Sequence, residues 1–396
     1  MITIRTIDRL PLSSGSRVFY RVDYNVPLEG GRITDATRIE ETLPTLNLLR
    51  DRGAAIVLAS HLGRPKGERN AKYSLQPVRA CLAKLMNADV KWADDCAGAG
   101  AESKAQSLEP GEMLLLENLR FHAGEEKNDR SFAEQLRKLG DFYVNDAFGA
   151  SHRAHASIDA LPRLFPKQNT AGGLLLAKEL QFLQKVTNVS DRPFAVLLGG
   201  AKIAGKIEPL EALVTIADVI LIGGGIANTF LAAQNVNMGE SLVDHGSMEV
   251  ARRILGGGHR AQIILPVDVV VADSMDAPKK IETVDVSKGL TEPQKAFDIG
   301  PKTIERYASE LKKSKTIFWN GPMGVFEKEQ FAKGTMAMAR AIASAKATTI
   351  VGGGESVEAV KASGFADRIT HISTGGGASL EFISGEPLPG VEVLRA

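Results

Sequence analysis

Arginine, histidine and other polar side chains recur where short apolar runs of the first half break off. The stretch Tyr20-Arg-Val-Asp-Tyr-Asn-Val-Pro27 places Arg21, Asp23 and Asn25 at alternate positions, which on a strand share one face. The run at 54–59 continues into Ser60-His-Leu-Gly-Arg-Pro65, bringing His61 and Arg64. The run at 113–116 leads to Arg120, and the run at 142–144 leads to His152, Arg153 and His155. Asp35 can cap a helix that carries Arg38 in its first turn. The planar guanidinium fork suits bidentate recognition of carboxylate and phosphate. Ligands of open α/β sheets sit outside the carboxyl ends of strands. The repeated pattern therefore predicts one crevice for a small, multiply negative ligand.

The second half carries a different chemistry. Glycine clusters follow apolar runs and precede helical patterns at Gly199-Gly200, Gly223-Gly-Gly225, Gly352-Gly-Gly354 and Gly375-Gly-Gly377. Glycine lets backbone approach a phosphate closely, and the N–H groups opening a helix favour negative charge. A phosphate-bearing cofactor is the expectation. The run Gly200-Ala-Lys-Ile-Ala-Gly-Lys206 satisfies part of the nucleoside-triphosphate loop pattern. Ile207 then stands where that loop needs Ser or Thr to hold Mg²⁺. Lys202 and Lys206 remain candidate phosphate-facing cations. Glu327 can accept from ribose hydroxyls or begin a helix. Glu355, directly behind Gly354, can hold a nucleotide-bound Mg²⁺ or simply open a helix.

Positioning these groups takes an alternating framework. Strand-like runs at 18–22, 54–59, 113–116, 142–144, 194–198, 219–222, 263–265, 316–319, 348–351 and 371–373 are apolar on both faces in most cases. That is the reading for parallel strands covered by helices on either side. Helical patterns fall between them at 37–52, 75–86, 206–217, 331–345 and 356–363, so the fold class is α/β with doubly wound parallel sheets. A boundary lies near 160–190, where Pro162, Pro166 and a polar stretch precede one long helix over 174–186. Of 24 arginines, 16 fall within residues 1–165.

Length and composition bound the rest. The chain has 396 residues, 44% hydrophobic and 24% charged, which suits two or three soluble globular domains. Lys and Arg total 48 against 47 for Asp and Glu, a net charge of +1. Nucleic acid is therefore not an expected partner. Cys81 and Cys96 are too few for a disulfide framework. No run approaches the ~20 apolar residues of a membrane span, and Asp8, Arg9 and Pro11 break any signal-peptide pattern. A cytoplasmic location is the expectation.

Several motifs together resemble the phosphoglycerate kinases, in that family's order and over essentially the whole chain. They are Arg21-Val-Asp-Tyr-Asn-Val-Pro27, Ser60-His-Leu-Gly-Arg-Pro65, Glu117-Asn-Leu-Arg-Phe-His122 and Tyr143-Val-Asn-Asp-Ala-Phe-Gly149, then Gly199-Gly-Ala-Lys202, Leu265-Pro-Val-Asp-Val-Val-Val-Ala-Asp273, Trp319-Asn-Gly-Pro-Met-Gly-Val-Phe-Glu327 and Ser373-Thr-Gly-Gly-Gly-Ala-Ser-Leu-Glu381. The resemblance implies reversible, Mg²⁺-dependent phosphoryl transfer between ATP and 3-phosphoglycerate, giving ADP and 1,3-bisphosphoglycerate, in a cytoplasmic monomer. It implies two Rossmann-like domains joined by a long hinge helix: residues 1–170 with 380–396 for the phosphoglycerate, 171–187 as linker, and 188–379 for the nucleotide. By motif position, Arg21, Val22, Asp23, Asn25, Arg38, His61, Leu62, Gly63, Arg64, Arg120 and Arg153 would bind the phosphoglycerate. Lys202, Lys206, Glu327, Gly353, Gly354, Glu355 and Ser356 would bind nucleotide, with Glu355 as the metal ligand. The helix start at Gly375, Gly376 and Gly377 would face the transferring phosphate, and Arg38 and Lys202 would be catalytic.

Two positions depart from the family pattern. Gly205 stands where the family often has Asp or Thr, and Gly353-Gly-Glu-Ser356 stands where Gly-Gly-Asp-Thr is usual. A P-loop ATPase or kinase built on Gly200–Lys206 and a nucleotide-binding scaffold without catalysis are the competing readings. Assay of ATP-dependent phosphorylation of 3-phosphoglycerate separates all three.

Overall fold

The computed structural model describes residues 2–396. It divides into two compact units, one formed by the chain up to Gln181 with Pro387–Ala396, the other by Phe182–Glu386. Among the described residues, no helix is long and apolar enough to cross a membrane.

The first unit is built on β1 (Arg17–Arg21), a short antiparallel ribbon of β2 (Leu28–Glu29) and β3 (Arg32–Ile33), then β4 (Ala55–Ala59), β5 (Lys91–Ala93), β6 (Met113–Leu116), β7 (Phe142–Asn145) and β8 (Thr170–Gly172). Its main sheet is parallel in the order β5-β6-β4-β1-β7-β8. Val18, Tyr20, Ile56, Leu58, Met113 and Leu115 alternate onto one face and pack beneath Leu46, Leu49, Val78 and Leu82 from the helices. Burial on both faces explains why these strands read as unbroken apolar runs. Arg21 pairs in register with Ala59 on one side and Asn145 on the other, so three strands end level with one another. The chain end returns here, with Gly390 N–H donating to the Ser151 carbonyl at 2.9 Å.

The helix expected over 37–52 is two helices, Thr37–Glu40 and Leu43–Asp51. Pro44 explains the break: it donates no N–H, and its ring would clash with the carbonyl four residues back. The first piece carries Arg38, and Asp35 Oδ1 accepts the Thr37 N–H at 2.9 Å to hold its start.

The second unit contains β9 (Phe194–Leu198), β10 (Val219–Ile222), β11 (Gln262–Ile264), β12 (Asp268–Ala272), β13 (Ile281–Asp285), β14 (Lys295–Ile299), β15 (Thr316–Asn320), β16 (Thr348–Gly352) and β17 (His371–Ile372). The parallel sheet runs β11-β10-β9-β15-β16-β17. From β9 the chain winds outward through β10 and β11, then restarts beside β9 at β15. That reversal opens a crevice beyond the carboxyl ends of β9 and β15. A separate antiparallel sheet, β13-β12-β14, lies outside the sequence expectation.

Candidate active site

In the first unit, the residues beyond β1, β4, β6 and β7 converge. Arg21, the last residue of β1, is fully buried. Its Nε donates to Ser157 Oγ at 2.8 Å, Nη1 donates to the Val22 carbonyl, and Nη2 lies 3.3 Å from His61 Nδ1 and 3.9 Å from Glu125 Oε1. Arg38 Nη1 donates to Asp23 Oδ2 at 3.1 Å and to the Asn25 carbonyl at 3.2 Å, leaving the rest of its fork for an anion. Asn25 Oδ1 accepts the Gly63 N–H at 2.8 Å, and Arg120 Nη1 donates to the Gly63 carbonyl at 2.8 Å. Gly63 is in the left-handed region at φ +63, where a Cβ would fall 2.3 Å from the Tyr73 ring. Arg64 and Arg153 are exposed.

The electrostatics follow from this crowding of cations. Burial raises the Asp23 carboxyl, but the guanidinium groups of Arg38 and Arg21 and the Asn25 N–H outweigh it and hold Asp23 below the usual carboxylate range. Burial, with Arg21, Arg120 and Arg38 adding to it, holds His61 well below its ordinary value despite Asp23. Burial and the neighbouring Arg120, Arg21 and Arg153 push His155 down to about 3. His152 and His155 each have a buried Nδ1 with no hydrogen-bond partner. The cluster thus holds buried neutral histidines among fixed cations, an environment that favours an added anion.

Two expected ligand residues turn their side chains inward. Val22 and Leu62 are buried in the core. The Val22 N–H goes to the Ala59 carbonyl at 3.0 Å, and the Leu62 carbonyl accepts from Asn118 Nδ2 at 2.7 Å.

In the second unit, two clefts adjoin at the crevice. The larger, 460 Å³, is lined by Gly200, Gly224, Asn228, Phe297, Asp298 and Glu327 among others; the smaller, 380 Å³, by Lys206, Asn320, Gly353, Gly354, Ser356, Gly376 and Gly377. Glu355, in the first turn of the helix Gly354–Ala362, lines both. Glu327 is exposed in a turn ahead of the short helix Glu329–Phe331, so it does not begin that helix. Lys206 Nζ donates to the Gly199 carbonyl at 2.9 Å, and burial lowers its pKa against the opposing pull of Glu355. Lys202 is exposed. Asp244 lies near it and holds its turn by accepting the Ala204 N–H at 3.1 Å.

The glycines after β9 and β10 act differently from the sequence expectation. The Gly199, Gly200 and Gly224 N–H groups donate to the carbonyls of Asn320, Pro322 and Met323, each at 2.9 Å. Those donors pack one turn against the next and are not presented to a phosphate. A Cβ on Gly199 would fall 2.0 Å from the Pro322 carbonyl oxygen. Gly353, at φ +94, makes the reversal into its helix. The Ser356 hydroxyl is buried and accepts the Gly321 N–H at 2.6 Å, which ties the turns after β15 and β16 together. Gly375 is likewise engaged internally, its N–H donating to Ser373 Oγ at 3.1 Å, while Gly376 and Gly377 face the smaller cleft.

Comparison with known proteins decides between the readings. The family model described as phosphoglycerate kinase matches residues 7–386. The chain belongs to the phosphoglycerate kinase family. A phosphoglycerate kinase from Koribacter versatilis is 50% identical over 391 residues, covering 96% of each chain. One from Desulforudis audaxviator is 49% identical, covering 99% of this chain and 98% of that one. The solved phosphoglycerate kinase structure from Coxiella burnetii superposes with a TM-score of 0.87 at 36% identity, covering 99% of both chains. That from Pyrococcus horikoshii superposes with a TM-score of 0.88 at 33% identity, covering 99% of this chain and 98% of the other. The chain is thus a kinase acting between ATP and 3-phosphoglycerate, with a carboxyl group as acceptor.

Some side chains at the site left no mark in the sequence. Asp298, at the wall of the larger cleft, is buried; Oδ2 accepts the Gly334 N–H at 2.7 Å and Oδ1 the Ile299 N–H at 2.9 Å. Asn228, in the helix after β10, lines the same cleft. Buried Glu125 holds Ser157 in the first unit, its Oε2 accepting the Ser157 N–H at 2.9 Å. Asn228 stands three residues beyond the Gly223-Gly-Gly225 cluster, a signal that could have found it, whereas Asp298 and Glu125 lie outside the strand ends and glycine clusters singled out in the sequence.

Proposed function

We propose that the cationic cluster of the first unit binds 3-phosphoglycerate and that the two clefts of the second bind the nucleotide. One observation supports the nucleotide half most directly: Glu355 stands where a roomy cleft meets a glycine-lined one, with Lys206 close by. The larger cleft suits base and ribose, with Glu327 near the sugar hydroxyls. The smaller suits the phosphates, between Lys206 and the backbone of Gly353, Gly354, Gly376 and Gly377.

The donor set fits Mg²⁺. A single carboxylate beside a phosphate pocket is the arrangement that ion takes when phosphate oxygens and waters complete its shell. Glu355 would hold it, and the ion would neutralise charge on the phosphates. The departure from Asp to Glu lengthens the ligand by one methylene.

In our reading the substrate carboxylate attacks the terminal phosphoryl group in line, so no protein nucleophile or base is needed. The protein positions both ends and stabilises the charge spread over the moving group. Arg38 and Lys202 supply the cations. The cationic cluster and the nucleotide clefts belong to different units, so transfer calls for closure of the two, which also excludes water. The helix Leu174–Thr187, within which the division between units falls, is the proposed hinge. A single chain carries both half-sites, and we take the active species to be a cytoplasmic monomer.

A coupled assay tests the assignment. Lys202→Ala should lower kcat by about 10²–10³ while nucleotide affinity changes little, the size seen when one transition-state donor is lost. Arg38→Ala should lower kcat as well as kcat/KM. An unchanged kcat in either variant removes that residue from catalysis.

A further inference from the structure

Beside the turn that carries Arg120, the first unit gathers Asp95, Cys96 and His122, each offering one ligand atom within 4.8 Å of the other two. The adjacent parallel strands β5 and β6 deliver them: Asp95 and Cys96 follow β5, and His122 ends the turn that leaves β6. Asp95 Oδ1 lies 2.6 Å from His122 Nε2 and accepts the Cys96 N–H at 2.6 Å. The His122 ring stacks on Phe132 with centroids 5.0 Å apart, which fixes the direction of its nitrogens. Cys96 is fully buried, whereas the Asp95 and His122 side chains are 49% and 33% exposed.

We propose that Asp95, Cys96 and His122 form a site for a thiophilic divalent cation of the zinc class. One sulfur, one imidazole nitrogen and one carboxylate oxygen make a mixed donor set that zinc accepts. Mg²⁺ and Ca²⁺, which prefer oxygen throughout, do not. Three protein ligands leave a fourth position for water. Ligands of tetrahedral zinc, bonded at about 2.1 Å, lie about 3.4 Å apart. The Asp95–His122 separation must therefore open by less than an ångström, with the metal bond replacing the Asp95–His122 hydrogen bond on a half-exposed Asp95 side chain. Cys96 forms the floor and the other two the rim, so the ion has an entry path. On binding, a sulfur–metal bond replaces the thiol S–H and the proton leaves to solvent. The ion would staple the loop after β5 to the turn that carries Arg120, two residues before His122.

Titration of the metal-free full-length protein with Co²⁺, a coloured zinc substitute, tests this. The expected result is a sulfur-to-cobalt charge-transfer band saturating at one equivalent, together with a rise in Tm on adding Zn²⁺. The chain has two cysteines, so the band must persist in Cys81→Ser and vanish in Cys96→Ser. On the more exposed rim, Asp95→Asn and His122→Ala repeat the test without altering the buried thiol. Each should weaken Zn²⁺ binding at least tenfold while leaving kinase activity without zinc unchanged. Absence of the band in the unaltered protein overturns the proposal. So does a band lost in Cys81→Ser, or a Zn²⁺ effect on Tm that survives His122→Ala.

Discussion

Lys206 Nζ donates to the Gly199 carbonyl at 2.9 Å, reaching back across the turn that the two residues bracket. This explains how the chain can match part of a triphosphate-loop pattern without being one. In that loop the lysine is free for phosphate, whereas here it closes its own turn beside Glu355. Lys206→Met should release the turn and remove a cation from the smaller cleft. Loss of one charge-assisted hydrogen bond costs about 1.5–3 kcal/mol, so KM for ATP should rise roughly 10- to 150-fold. Steady-state kinetics at saturating 3-phosphoglycerate measures it. A collapse of kcat at unchanged KM would instead place Lys206 with Lys202 in the chemical step.

Acid should destabilise the first unit through His155. Burial and the arginines hold this imidazole at about 3, far below its ordinary 6.5. Below 6.5 the unfolded chain takes up a proton that the native state refuses, so stability falls with pH until the native group titrates near 3. The loss is about 1.4 kcal/mol per pH unit, or roughly 2 kcal/mol at pH 5. In His155→Gln this part of the acid sensitivity should disappear. Urea midpoints for both proteins at pH 7 and pH 5 give the comparison, and an equal drop in the two would contradict the assignment.

The central strands were legible because both of their faces are buried: Met113-Leu-Leu-Leu116 of β6 and Ala55-Ile-Val-Leu-Ala59 of β4 contain no polar residue to confuse the period. The antiparallel strand β13, Ile281-Glu-Thr-Val-Asp285, is half-exposed or exposed at every position, so no run marks it. Its sheet supplies Phe297 and Asp298 to the nucleotide cleft, which is why those residues escaped notice. The arginines could be found because strand ends are where ligands gather. What each arginine does could not be. Arg21 closes a buried network, whereas Arg38, seventeen residues further on, keeps part of its fork unengaged. Strand alternation does not extend past Arg21, where β1 ends.

The second unit should answer pH with the opposite sign. Burial pushes Asp298 up to about 7, against the two backbone N–H groups that favour its charge. Between its ordinary value near 3.8 and this one, the native state holds a proton the unfolded chain has released. Stability therefore falls as pH rises through that window, by at most about 4 kcal/mol. Asp298→Ala loses the titration but also orphans the Gly334 N–H, a cost of about 1–3 kcal/mol. The variant should consequently be less stable than the parent at pH 5, with the gap narrowing by pH 8. Thermal melts at the two pH values decide it, and a gap that stays constant or widens would mean Asp298 is charged throughout.

Gly199 is where the smallest change should do the most damage. Its Cβ position lies 2.0 Å from the Pro322 carbonyl oxygen and 2.7 Å from that of Gly321, both backbone atoms that cannot swing aside. Gly199→Ala must separate the turns after β9 and β15, breaking the Gly199 and Gly200 N–H bonds and disturbing the carbonyl that Lys206 grips. Two backbone hydrogen bonds and their burial are worth about 1–3 kcal/mol together, before the overpacking cost of about 1–3 kcal/mol. The control is Gly111→Ala, at φ +82 with nothing within 4 Å of its Cβ, which carries backbone strain without a clash. Gly199→Ala should lose more stability than this control and should also raise KM for ATP, because the displaced turn forms part of the larger cleft. Calorimetry and ATP kinetics on the pair are sufficient. Equal destabilisation of the two, with ATP affinity intact, would mean that the turns tolerate separation and that glycine is needed at 199 for some other reason.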